Sequence, residues 1–270
     1  MKKIATIIFL MYFVTSNGQN LVINPDFEDY TFRFWGAFPK GWSDDGWIHN
    51  SIYINHRVND SLKAINKKIS ENPKSNIIEF PIIDSSKFPY LLSKTVYSGD
   101  GMILVNFIDS MGFPCLTGSL RKGLNAGKKY RISFQILYDN HSLLCISSIG
   151  IKFDYGFSIV SHNYDLVFNS YYKRKIKSDV IIKTGSLLND SINWQLMTAD
   201  IVAKGGEDRV VLGCFYYDNP SLKKLNRCKG KIKIVKKRFA NDKDICINDN
   251  NIKYLSASYF IDDVKIEQIK

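Results

Sequence analysis

Histidine and cysteine are too few and too scattered in this 270-residue sequence to form a recognisable metal or catalytic pattern. The chain has four histidines and five cysteines, and no two cysteines form a C-x-x-C pair. Zinc sites formed by short loops need such closely spaced pairs. The sequence also lacks the G-x-S-x-G, H-E-x-x-H and Walker motifs. These absences argue against a zinc domain and against the common hydrolase and nucleotide-binding classes.

Long apolar runs are missing beyond the first residues. Two lysines precede an uncharged stretch over 4–14, and the small residues Ser16 and Gly18 follow it at cleavage-pocket spacing. This pattern predicts a cleaved secretory signal peptide over 1–18, with a stretch too short to span a bilayer. We therefore expect an exported chain without a transmembrane segment, located in the medium, in the periplasm or in association with the outer membrane.

Acidic residues are outnumbered, 26 against 37 lysines and arginines. Much of the excess lies in 221–239, which could attract acidic polysaccharide, lipid phosphate or nucleic acid. No aromatic residues are interleaved with these cations as a platform for bases. We therefore interpret this basic segment as a solvated hairpin or loop and do not expect a nucleic-acid partner.

The five cysteines permit at most two disulfides and leave one thiol over. Cys228 and Cys246 flank the basic segment and could close it. Cys145 and Cys214 stand within apolar segments and are interpreted as small core residues. The pairing remains open at this point.

Helical periodicity is confined to DSLKAINKKIS (60–70), whereas alternation of apolar and polar residues recurs along the chain. The turn signals between the alternating segments are rich in glycine. The predicted fold is an all-β antiparallel sandwich with one short helix in a loop. Candidate strands are GMILVNFID, KKYRISFQILYD, SSIGIKFDYGF, NWQLMTADIVA, DRVVLGCFYYD and YFIDDVKIEQI. DRVVLGCFYYD is apolar on both faces and suits a central strand.

The predicted domain organisation is a single domain over 19–270 that follows the signal peptide. Two segments depart from the alternating pattern and are interpreted as loop insertions near 50–95 and 217–255. The first contains the predicted helix and the second contains the basic segment.

A carboxylate stands inside the last candidate strand, SASYFIDDVKIEQ (256–268). With unbroken alternation, Asp262 shares a face with Phe260, Val264 and Ile266. An ionised carboxylate aimed at a core is costly unless it is paired or bound to a metal. If the first and last strands are neighbours, Glu28 meets Asp262.

A calcium ion would relieve the repulsion between these two carboxylates, because calcium takes six to eight oxygen ligands and loop carbonyls can complete its shell. Glu28 and Asp262 are therefore the predicted ligands of a structural calcium. Two alternatives remain open. Backbone amides could cap a buried acid, or a β-bulge could turn Asp262 outward.

Several motifs occur in a characteristic order over nearly the whole mature chain. They are NLVINPDFE, FPKGW, SGDGMILVNF, LNAGKKYRISFQI, WQLMTADIVAKGGEDRVVLGCF and YFIDDVKIE. In this order the sequence resembles exported domains of Bacteroidetes-group bacteria that are similar to galactose-binding-like jelly rolls, are used as carbohydrate-binding modules and are often N-terminal to an OmpA-like domain. The resemblance implies a jelly-roll sandwich with a structural calcium where Glu28 and Asp262 fall.

This sequence also departs from that pattern. The residues after Trp42 and the basic segment differ from it, and the last predicted strand ends at the C-terminus, so we expect no OmpA-like domain after it.

A sugar site needs aromatic planes beside polar groups. The candidate ligand-binding residues are Trp35, Trp47, Asp44 and Asp45, whereas Trp42 and Trp194 are interpreted as core. We identify no catalytic residue. The predicted function is a non-catalytic module that binds glycan or another cell-surface component. The alternative is a structural or adhesion protein of the cell envelope that binds a protein partner, and a hydrolase is a third, less favoured hypothesis.

Overall fold

The computed structural model describes residues 19–33, 36–44, 51–55, 95–108, 115–155, 177–215, 221, 233, 241, 245–247 and 256–270. The predicted signal peptide over 1–18, the helix expected over 60–70 and all but two residues of the basic segment lie outside these ranges. Apart from isolated single residues, every regular secondary-structure element in the described ranges is a β-strand.

Thirteen strands are described. They are β1 (Tyr30–Arg33), β2 (Gly36–Pro39), β3 (Trp42–Asp44), β4 (Ser51–Asn55), β5 (Gly101–Ile108), β6 (Cys115–Ser119), β7 (Lys129–Tyr138), β8 (Leu144–Asp154), β9 (Val180–Leu188), β10 (Gln195–Val202), β11 (Arg209–Gly213), β12 (Ile245–Ile247) and β13 (Ala257–Ile269).

Two antiparallel sheets form the body of the molecule. One has the order β10-β7-β13-β5-β4, and the other has the order β12-β8-β11-β6-β3 with β9 also paired to β8. Eight of these strands form the quartets β10-β7-β13-β5 and β9-β8-β11-β6, in which the first strand, β5, lies beside the last, β13. This order is that of a jelly roll. The predicted all-β sandwich and the jelly-roll topology are confirmed.

The core lies between the sheets and follows from the alternation in the sequence. Ile132, Phe134 and Ile136 of β7 pack in one cluster with Ile149 and Ile151 of β8. Since these residues stand at every second position, each strand buries one face and presents the other outward.

Trp42 closes one part of this core. Its ring is 1% exposed, and its Nε1–H donates to the Ile23 and Asn24 carbonyls at 3.1 and 2.9 Å. The ring passes so close to Gly118 that a Cβ there would lie 2.6 Å from it. The interpretation of Trp42 as a core residue is confirmed.

β11 is central, as its apolar sequence predicted, since it pairs with β6 on one side and β8 on the other. Val210 and Leu212 belong to the core between the sheets, whereas Val211 joins Cys115 and Phe215 in a small buried cluster on the outer face.

The two predicted insertions each contribute a strand. β4 lies in the first insertion and pairs with β5, and β12 lies in the second and pairs with β8. Over the described residues, none of the chain forms a helix long and apolar enough to cross a membrane.

The cysteines require a correction. Cys145 was interpreted as a small core residue with its pairing left open; it is fully buried, and it is disulfide-bonded. Cys115 and Cys214 are buried and are not part of a disulfide. The register of β12 places Cys246 directly opposite Cys145.

We therefore expect Cys145 and Cys246 to form the disulfide, which closes a loop of roughly 100 residues and stabilises the fold by about 2–5 kcal/mol. Peptide mapping of the non-reduced protein should find these two cysteines cross-linked, and Cys246→Ser should lower the free energy of unfolding by that amount. Cys214→Ser, which removes a thiol outside the disulfide, is the control. A map that links Cys145 to Cys228 would contradict this pairing.

Candidate functional site

The N-terminal segment that begins at residue 19 lies beside the last strand, β13. The Leu21 N–H donates to the Ile266 carbonyl at 2.9 Å, and the Val264 N–H donates to the Pro25 carbonyl at 2.8 Å. The Asn20 side chain adds bonds to the same strand, because it donates to the Val264 carbonyl and accepts from the Ile266 N–H. The N-terminal segment therefore runs along β13, which brings Glu28 into the region of Asp262.

Glu28 and Asp262 bind opposite ends of one loop, residues 97–101, which we call the acid-bound loop. Asp262 Oδ2 accepts the first two N–H groups of this loop at 3.0 and 2.9 Å. Glu28 Oε1 accepts the last two, the second of them at 2.9 Å. Four backbone donors that lead into β5 are thus satisfied by the two acids.

Two glycines make this close approach possible. A Cβ on Gly99, whose φ is +59°, would lie 2.1 Å from Glu28 Oε1. A Cβ on Gly101 would lie 2.6 Å from the Phe27 carbonyl oxygen. The second contact is with backbone, so no side-chain rearrangement can relieve it.

The direction of Asp262 requires a correction. The register of β13 against β7 shifts between Asp262 and Lys265, and Asp263 has a φ of 49°. Val264 therefore packs in the core between the sheets, whereas Phe260 packs in a second cluster on the outer face. The expectation that Asp262 shares a face with Val264 and Ile266 was wrong, because the bulge reverses the alternation after Asp262.

Asp262 is nevertheless fully buried. Burial raises the pKa of its carboxyl from 3.8 to about 7, although hydrogen bonds from the backbone N–H groups of Ser98, Asp263 and Tyr97 act in the opposite direction. Its Oδ1 also accepts the Asp263 N–H at 2.6 Å. The contacts are thus those of an acid capped by backbone amides, combined with a bulge, which are the two alternatives that the sequence left open.

Backbone strain is concentrated beside these acids. Asn24, Phe27 and Asp263 are the non-glycine residues with positive φ in the described chain, at 52°, 58° and 49°. Such conformations persist only where the surrounding contacts enforce them, and they are frequent at binding sites.

The residues present are compatible with a hard cation. The described chain contains no group of three or more histidine, cysteine or acidic side chains placed to hold a metal, so an ion here would depend on main-chain oxygens. The Phe27 and Asp26 carbonyl oxygens lie 2.6 and 3.1 Å from the position of a Cβ on Gly101, close to the Glu28 carboxylate. Carboxylate and carbonyl oxygens are the ligands that calcium takes.

Of the four predicted ligand-binding residues, the structure describes only Asp44, and only its backbone. Trp35, Trp47 and Asp45 lie outside the described residues. Asp44 ends β3 opposite Leu116, and its side chain is not described. The structure therefore leaves the sugar-binding role of these four residues as a prediction.

A different aromatic pair was missed by the sequence analysis. The rings of Tyr97 and Trp194 meet edge to face with centroids 6.2 Å apart, and Tyr97 is 49% exposed. Trp194, which was interpreted as core, is only partly buried, and its Nε1–H donates to the Thr95 carbonyl at 3.1 Å. The sequence offered one signal, since Trp194 stands directly before β10 at the spacing of its exposed residues Thr198 and Asp200.

Polar side chains continue from this pair across the outer face of the sheet. Successive rows run from β10 through β7 to β13, and we call them the outer strip. The rows are Leu196–Gln135–Asp262, Thr198–Ser133–Lys265 and Asp200–Arg131–Glu267. The row nearest the aromatic pair has buried Gln135 and Asp262 beside exposed Leu196, and the hydroxyl and charged groups follow in the next two rows of the same face.

Charges within the outer strip are largely paired. Arg131 Nε and Nη2 donate to the two carboxylate oxygens of Asp200 at 2.7 and 2.9 Å. The bond from Arg131 is the main cause of the lowered pKa of the Asp200 carboxyl. Lys265 is similarly paired with Asp263 at 2.6 Å.

No protein-family model matches the sequence, and no curated protein is significantly similar to it. Solved structures with a similar arrangement include TmCBM61 in complex with β-1,4-galactotriose, at 11% identity and a TM-score of 0.36, covering 93% of this chain and 99% of that one. The CBM22-1 xylan-binding domain of Paenibacillus barcinonensis Xyn10C has 9% identity and a TM-score of 0.32, covering 66% and 78%.

The K1 cleaved adhesin domain of Lys-gingipain from Porphyromonas gingivalis W83 has 12% identity and a TM-score of 0.37, covering 94% of this chain and 100% of that one. With TM-scores this low, the fold assignment rests on the strand order and the site on its own geometry.

Asp262 should give stability a distinctive pH dependence. Because its folded pKa is raised to about 7 from 3.8, the folded state binds more protons between these values, and the free energy of unfolding falls as pH rises through them. The loss is on the order of 4 kcal/mol above pH 7, and it is absent below pH 4.

Denaturant titrations of chelator-treated protein at pH 4.5 and 7.5 measure this effect. Asp262→Asn should lack the fall in stability. Asp200→Asn should retain it, because the pKa of Asp200 is shifted in the opposite direction. Equal pH slopes in the wild type and Asp262→Asn would contradict the assignment.

Proposed function

We propose that this protein is a non-catalytic carbohydrate-binding module that binds glycan on the outer strip and is stabilised by one calcium ion. The observation that carries the proposal is the Tyr97–Trp194 pair, which combines an exposed ring with adjacent polar side chains. Sugars present apolar C–H faces together with directional hydroxyls, and this combination of groups suits them. The motif resemblance of the sequence points to the same class.

Calcium is proposed to lie beside the acid-bound loop, with Glu28, Asp262 and the carbonyls of Asp26 and Phe27 as the groups that hold it. When bound, the ion would supply positive charge that keeps Asp262 ionised. The role is structural, since it would tie the chain ends to the acid-bound loop. The concentration of positive φ values around these residues supports a site of this kind.

The acid-bound loop also connects the two parts of the proposal. Tyr97 donates its N–H to Asp262, and its ring contacts Trp194. The Thr95 carbonyl, two residues before Tyr97, accepts the indole N–H of Trp194. The segment 95–97 therefore contacts both Asp262 and Trp194. The acids thus position the ring that would contact sugar.

A catalytic role for the buried acid is not supported by its surroundings. Its pKa is perturbed in the way that catalytic acids often show. However, Asp262 is fully buried, and both of its oxygens face donors of the protein itself. A general acid must reach the proton of a substrate, so a buried acid with this geometry serves structure.

A second candidate function is adhesion to a protein partner. β10 lies at the end of its sheet, and its region exposes Ile192 by 83%, Leu196 by 62% and Val202 by 60%. Exposed apolar side chains along a sheet edge favour pairing with another chain. This surface overlaps the outer strip only at Leu196, so the two functions can be tested separately.

Glycan-array screening of the mature protein tests the first candidate. We expect binding to bacterial or plant glycans, and we expect Trp194→Ala to weaken it about tenfold through the lost stacking surface. Tyr30→Ala, which removes another exposed aromatic residue, should leave affinity unchanged. The adhesion function would be favoured by two results together. The array would show no glycan binding, and the protein would capture a defined envelope protein that the Ile192→Asp variant does not capture.

Calorimetric titration of chelator-treated protein with calcium tests the ion. One ion per chain should bind, with a rise in the melting temperature, and Asp262→Ala should abolish both effects. Asp200→Asn removes the charge of an exposed carboxylate that is paired with Arg131 and serves as the control. Calcium uptake that is unchanged in Asp262→Ala would remove this residue from the site.

A further inference from the structure

A second surface lies at one end of the sandwich, where the loops 120–128 and 203–208 run alongside each other. Five backbone hydrogen bonds with lengths of 2.7–2.9 Å join the two loops. At one end the Leu120 N–H donates to the Asp208 carbonyl, and at the other end the Ala203 N–H donates to the Lys128 carbonyl. The two loops therefore form one rigid surface, which we call the basic end.

The solvent side of the basic end is cationic. Arg121, Lys122, Lys128 and Lys204 are exposed, and the first three make no ion pair with any residue that the structure describes. Lys122 and Lys128 lie at opposite ends of the paired loops, so the positive charge extends over the length of the surface. Exposed charges of one sign attract a polyanion over about a Debye length.

The neighbouring acids are engaged by the protein itself. Glu207 is 2% exposed, and its two oxygens accept the Lys204 and Gly205 N–H groups at 2.7 Å each. Asp179 accepts Lys204 Nζ at 2.7 Å and the Phe153 N–H at 2.8 Å. Asp208 pairs with Arg209 at 3.8 Å. Glu207 keeps its negative charge, because N–H groups do not neutralise a carboxylate, so the excess positive charge of the surface comes from Arg121, Lys122 and Lys128.

The floor of the basic end is formed by glycines beside an aromatic ring. Gly205 and Gly206 adopt φ values of +105° and +89°, and Gly123 packs against Gly206. Tyr155 is 52% exposed, and its ring lies 3.7 Å from the position of a Cβ on Gly206. The ring therefore rests on Gly206, and its exposed part offers a sugar a stacking surface beside the cations.

We propose that the basic end is a binding site for acidic polysaccharide, distinct from the outer strip. Carboxylate or sulfate groups of the polymer pair with Arg121, Lys122 and Lys128, and a sugar ring packs against Tyr155. A single aromatic residue and a glycine floor suit a sugar chain better than a nucleic acid, whose single-stranded forms use several stacking rings.

The test is binding of the mature protein to polygalacturonate, measured by calorimetry at low and at physiological salt. The wild type should bind with an affinity that falls as salt rises. The double variant Arg121→Gln, Lys122→Gln should weaken binding about fivefold to tenfold, as expected for the loss of two exposed charge contacts. Lys183→Asp lowers the net charge by the same two units on β9 and should have little effect.

Tyr155→Ala should weaken polygalacturonate binding without changing its salt dependence, because a ring contact carries no charge. Trp194→Ala should leave the polygalacturonate affinity unchanged. This result would separate the basic end from the outer strip, whether or not the outer strip binds glycan. Equal losses in the double variant and Lys183→Asp would show attraction by net charge alone and overturn the site. Retained binding in the double variant, or tighter binding to oligonucleotides or anionic vesicles, would also overturn it.

Discussion

The interaction on which the site depends is the binding of one loop by two carboxylates from opposite ends of the chain. Hydrogen bonds to a charged acceptor are stronger than neutral ones, at about 1.5–3 kcal/mol each, and four backbone donors of residues 97–101 depend on Glu28 and Asp262. This stabilisation opposes the cost of burying Asp262, which is visible as its raised pKa. Replacing Glu28 by alanine would leave two N–H groups without this acceptor, and replacing Asp262 would leave three.

Jelly-roll topology explains why residues so distant in sequence can meet there. The first and last strands of the eight-stranded core, β5 and β13, are paired neighbours, and the N-terminal segment adds backbone bonds along β13. The loop that enters β5 therefore lies beside the middle of β13. The bulge after Asp262 then turns the strand so that Val264 and Ile266 still reach the core while Asp262 faces the loop.

Alternation in the sequence predicted the sandwich and most strands because each strand buries one face, as in β7 with Ile132, Phe134 and Ile136. It failed at Asp262, since a left-handed residue at Asp263 shifts the register without changing the apolar pattern. The bond of Cys145 and the meeting of Tyr97 with Trp194 were also missed. Both depend on which strands become neighbours, and local periodicity carries no information on that. Glu28 was identifiable because the motif order placed it next to the last strand.

The two proposed binding surfaces differ in how many of their charged side chains are ion-paired. This pairing, and not the number of charged residues, sets the charge that each surface presents to a ligand. On the outer strip, Arg131 is bound bidentately by Asp200 and Lys265 is paired with Asp263, so little net field remains to select a charged ligand. At the basic end, Glu207 and Asp179 are engaged by the turn and by Lys204, while Arg121 and Lys122 face solvent. A neutral glycan therefore suits the strip, where contact and hydroxyl geometry decide affinity, and an anionic polymer suits the basic end. The Tyr97–Trp194 pair lies before the first residue of β10, whereas the 203–208 loop follows its last residue. The aromatic contacts of the two surfaces therefore lie at opposite ends of that strand, so one chain could bind two kinds of polymer.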